Sequence, residues 1–96
     1  MKDLEKRVSE MEAIYNKEEA LLKEVKHALE ALREHQREYE RLKDYYGSEA
    51  WLKDREVDLE IPAGIHSEDL VFNLIGEHYY LALQMLEDAT EMLRNH

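Results

Sequence analysis

Ninety-six residues suffice for one domain with a modest core, and 44% hydrophobic and 38% charged residues with three glycines and one proline describe a helix-rich chain. The absence of cysteine removes disulfides, thiolate metal sites and cysteine nucleophiles together. Net charge is −10, and residues 47–96 hold 3 Lys+Arg against 11 Asp+Glu, so about −8 of it falls in the second half. That field disfavours phosphate and therefore direct nucleic-acid binding, which rests on cationic side chains.

The N-terminal stretch MKDLEKRVSE lacks the apolar segment of a signal peptide, and no run approaches the roughly 18 apolar residues of a membrane span. The expectation is a cytoplasmic protein without membrane contact.

From Lys2 to Tyr46 there is no glycine or proline, and apolar residues recur every three or four positions. The spacing predicts a helix over 2–46. Its stripe comprises Leu4, Val8, Met11, Tyr15, Leu22, Val25, Leu29, Leu32 and Tyr39, widened by Ile14, Leu21, Ala28 and Leu42. Glu18, Gln36 and Lys43 interrupt it, so an irregular bundle is expected rather than a two-stranded coiled coil. Pairs such as Glu19 with Lys23 support the outer face.

The helix runs into DYYGSEAWLKD. Gly47 stands where a left-handed residue ends a helix, and Ser48 followed by Glu49 starts a short one over 48–54. Tyr46, Gly47, Ser48 and Trp51 form the candidate structural corner, with Trp51 buried against the end of the first helix. Beyond it, Val57, Leu59 and Ile61 alternate with Glu56, Asp58 and Glu60, predicting an extended strap over 55–66 whose apolar side faces the helices. Pro62 and Gly64 turn the chain. Ser67 with Glu68 and Asp69 caps a helix over 67–94, in which Gly76 is read as allowing a close helix approach.

Catalytic and metal-binding motifs fail one by one. Glu24 and His27 have the Glu-x-x-His spacing of carboxylate-bridged metal bundles, but no second copy exists and both lie opposite the apolar stripe. His27, His35, His66, His78 and His96 share no zinc-ligand spacing. A calcium loop starting at Asp54 would need glycine and glutamate where Leu59 and Ile65 stand. Of the three serines, Ser48 and Ser67 already serve as caps. His78, on the apolar face of the last helix, is the one histidine placed to matter. No catalytic residue, metal site or cofactor is expected, and the protein is read as a non-enzyme.

YYGSEAWLKD followed after a spacer by HSEDLVFNLI resembles domain-of-unknown-function family number 4298. Tyr46, Gly47, Ser48, Glu49 and Trp51 match its corner motif, and Ser67, Glu68 and Asp69 its later helix start. The spacer is shorter than the family's and Gly76 departs from its pattern. The resemblance implies a short, acidic, helical protein of bacterial cytosol. It implies no activity and carries over no functional residue.

The expected fold is therefore all-α: one domain over 1–96 in which two long antiparallel helices are joined by a short helical corner and an extended strap, completing a bundle as a homodimer. A first helix of roughly 65 Å against a second of roughly 40 Å leaves an N-terminal overhang. Leu4, Val8, Met11, Ile14 and Tyr15 on that overhang form the candidate oligomer interface. The expected role is non-catalytic, through self-association or binding another protein, of basic character. The alternative is an acidic, antitoxin-like inhibitor that occupies the basic site of a nucleic-acid-binding partner.

Overall fold

The computed structural model describes all 96 residues and contains helices and connecting turns but no strand. Helix α1 spans Lys2–Tyr45, α2 Glu49–Asp54 and α3 Glu68–Arg94, with a 3₁₀ turn at Gly64–His66. The chain is all-α, as its periodicity predicts. None of its helices is long and apolar enough to cross a membrane.

Two compact units are present, Met1–Glu38 and Tyr39–His96. The first is helix alone. Asp3 and Glu5 complement the dipole at its start, and Glu19 pairs with Lys23 at 3.8 Å four residues on. All of its residues are exposed, and its stripe includes Leu4 at 43%, Val8 and Met11 at 53%, Ile14 at 60% and Tyr15 at 63%.

The second unit holds the only two buried hydrophobic residues, Trp51 and Val71. Around them lie half-buried side chains from the last turns of α1, from the 3₁₀ turn and from the first turns of α3, among them Leu42, His66 and Ile75. Tyr39 stacks on His78 with ring centres 4.0 Å apart, while Tyr46 bonds Glu68. Moving forward from Tyr39 to Tyr46 thus moves backward along α3, so these turns of α1 run antiparallel to it.

Local chemistry fixes the ends of the elements. Gly47 has φ +75°, the left-handed conformation that stops α1 without a Cβ clash. Ser48 Oγ accepts from the Trp51 N–H at 3.2 Å, and Ser67 Oγ from the Asp69 N–H at 3.3 Å. Each serine satisfies an amide that a helix start would otherwise leave unpaired.

Two expectations need correction. Val57, Leu59 and Ile61 are not packed under the helices: they are 58%, 41% and 69% exposed and line an open cleft. Their alternation brings all three to that cleft, whose space of about 460 Å³ stays open. Gly76 does not mark a close approach either, because a Cβ built there meets nothing within 4 Å. The glycine whose Cβ would be crowded is Gly64, 3.1 Å from Leu70 Cδ1.

Candidate functional site

The corner of the second unit gathers most of the polar side-chain contacts between its elements. Trp51, in the first turn of α2, is 5% exposed. Its indole Nε1–H donates to the Ile65 carbonyl at 2.9 Å, which ties α2 to the 3₁₀ turn and removes the cost of burying an unpaired donor. The Tyr46 ring meets it edge-on at 5.0 Å. Arg55 covers the indole, its guanidinium carbon 4.4 Å from the ring centre, and Nη2 lies 3.6 Å from Glu68 Oε1. Tyr46 completes the closure by donating to the Glu68 carbonyl at 2.7 Å.

Beside the tryptophan runs a second network, headed by Tyr45. Its hydroxyl donates to Asp54 Oδ2 at 2.6 Å and lies 2.9 Å from His66 Nε2. The single hydroxyl hydrogen is committed to the carboxylate, so Nε2–H is the donor in the second contact. The hydrogen bond to Asp54 raises the Tyr45 pKa above its ordinary value of 10.0, with desolvation and the Asp54 charge acting in the same direction. Tyr45, Asp54 and His66 form the polar side of a cleft of about 460 Å³ whose other wall carries Val57, Leu59 and Ile61.

The corner residues Tyr46, Gly47, Ser48 and Trp51 thus come together. Leu4, Val8, Met11, Ile14 and Tyr15 follow one another along α1, where the Tyr15 hydroxyl reaches Glu19 Oε2 at 3.3 Å. His78 stacks nearly parallel to Tyr39, at 6° between ring planes. No group of three or more His, Asp or Glu side chains is placed to hold a metal ion.

Three features escaped the sequence reading. Arg55 follows Trp51 by four residues, the spacing that stacks side chains on one helical face, so its cover of the indole had a signal. The Tyr45–His66 contact had none, since it depends on the path of the connecting segment, and the Tyr45–Asp54 contact depends on how the corner turns. Val71 looked like any other apolar position of its helix.

The sequence pattern of the domain of unknown function DUF4298 matches residues 8–88. The chain belongs to the DUF4298 family. The match takes in most of α1, the corner, the connecting segment and three-quarters of α3, a wider span than the two motifs that suggested it. No curated protein matches the chain. For DUF4298 the description states no activity, so the functional reading rests on the chain's own surface.

Proposed function

We propose that this protein acts by self-association, as a non-catalytic helical homodimer joined through the N-terminal part of α1. The observation that carries this is the complete exposure of Met1–Glu38 despite an apolar stripe from Leu4 through Leu32. Isolated helices hold together in water chiefly when an amphipathic face is packed. A helix that displays such a face for so many turns has its partner elsewhere.

A second copy brings an identical stripe at equal concentration, and two-fold symmetry closes the assembly. Leu4, Val8, Met11, Ile14 and Tyr15 are the residues assigned to the contact.

Light scattering across a range of concentrations tests this. The full chain should give about twice 11.5 kDa, and the double substitution Val8→Glu with Met11→Glu should return it to one chain mass. A full chain that is monomeric throughout defeats the proposal. A dimer that survives the double substitution moves the interface away from these residues.

A further inference from the structure

We infer that the cleft beneath Tyr45 is a docking site for a basic protein segment presenting a short aliphatic anchor. The inference is independent of self-association, because the cleft is lined entirely by residues between Tyr45 and His66. Its volume of about 460 Å³ falls within the range that receives a compact group. Val57, Leu59 and Ile61 offer it an apolar wall at 58%, 41% and 69% exposure.

Charge selects the occupant. Residues 54–60 carry four carboxylates, Asp54, Glu56, Asp58 and Glu60, against the single arginine Arg55. Arg55 is already engaged over Trp51 and beside Glu68, and Glu56, Asp58 and Glu60 form no ion pair. Asp54 uses Oδ2 for Tyr45, which leaves Oδ1 to accept from an incoming ammonium or guanidinium. The segment that forms the apolar wall therefore carries uncompensated negative charge, of which Asp54 lines the cleft itself.

An acidic ligand or nucleic acid is repelled by that charge, and a second copy would bring the same acidic segment to it. A basic segment meets complementary charge, and an aliphatic side chain on it reaches the wall that would otherwise stay wet. No backbone hydrogen bond holds Asp58, Leu59, Glu60 or Ile61 to the rest of the chain, so the wall is able to adjust around the anchor.

The test uses the full-length protein and three synthetic peptides, followed through the methyl resonances of Val57, Leu59 and Ile61. A peptide with two leucines flanked on each side by two lysines should shift these signals saturably. Replacing the leucines by serine should weaken binding about tenfold, the order expected for losing an aliphatic contact. Replacing the lysines by glutamate should abolish it. Leu59→Ser should weaken the first peptide about tenfold while Leu93→Ser, near the end of α3, leaves it unchanged; both positions are exposed, so neither change endangers the fold.

Equal binding of the serine peptide overturns the inference, since charge alone would then suffice. So do shifts confined to the stripe of α1. Butylamine binding as tightly as the leucine peptide would mean a small-amine pocket instead, and concentration-dependent shifts of the protein alone would place a second copy in the cleft.

Discussion

Arg55 holds its guanidinium carbon 4.4 Å from the centre of the Trp51 ring and, at the same time, reaches Glu68 of α3 at 3.6 Å. One side chain thus covers the buried aromatic and links α2 to the start of the last helix. Trp51→Ala removes the ring on which this corner is built and should cost about 3–5 kcal/mol. Arg55→Met keeps an apolar cover but loses the cation, and should cost about 0.5–1 kcal/mol. Because the two side chains touch, the double variant should lose less than the sum. Urea unfolding followed by circular dichroism measures all three, and strict additivity would show that the stacking contributes nothing.

Two glycines should respond oppositely to the same substitution. Gly47 sits at φ +75°, where an alanine Cβ crowds the following carbonyl, so Gly47→Ala should destabilise by about 1–2 kcal/mol even though nothing else lies within 4 Å. Gly76 lies inside α3 with open space beside it, and Gly76→Ala should stabilise by about 0.8–1 kcal/mol. Thermal unfolding of the two variants checks the signs. A destabilised Gly76→Ala would mean that another surface packs closely against α3 in solution.

Tyr45 should ionise above the ordinary tyrosine value. Its pKa is raised first by the hydrogen bond it donates to Asp54, then by desolvation and by the carboxylate charge. The unfolded chain returns it to about 10. A raised folded pKa means that this contribution to stability is fully present below pH ~10 and is lost as pH climbs through the higher folded value. Absorbance titration of phenolate should therefore lose a contribution above pH ~10 when Tyr45→Phe is compared with the native protein. A native profile unchanged by that substitution would show that the Asp54 contact does not hold in solution.

The elements of this protein are settled within a few residues of chain. Repeats of three and four make α1 and α3 helical, Gly47 supplies a left-handed stop, and Ser48 and Ser67 cap the next starts, each contact reaching no further than three positions. Burial of Trp51 was legible for a related reason: a large aromatic at a sharp corner has neighbours close in sequence on both sides. Alternation along Val57, Leu59 and Ile61 was legible too, but a period states which side chains share a side and not what lies across from them. The tertiary structure alone decided that this side borders a cleft. It alone joined Tyr45 to Asp54 and His66, 9 and 21 residues away, and laid Tyr39 on His78. The pairings with His66 and His78 depend on where Pro62, Ala63 and the 3₁₀ turn carry the chain, and no local preference encodes that path. The stripe from Leu4 to Leu32 shows the same limit, for its periodicity is identical whether the covering surface belongs to this chain or to another.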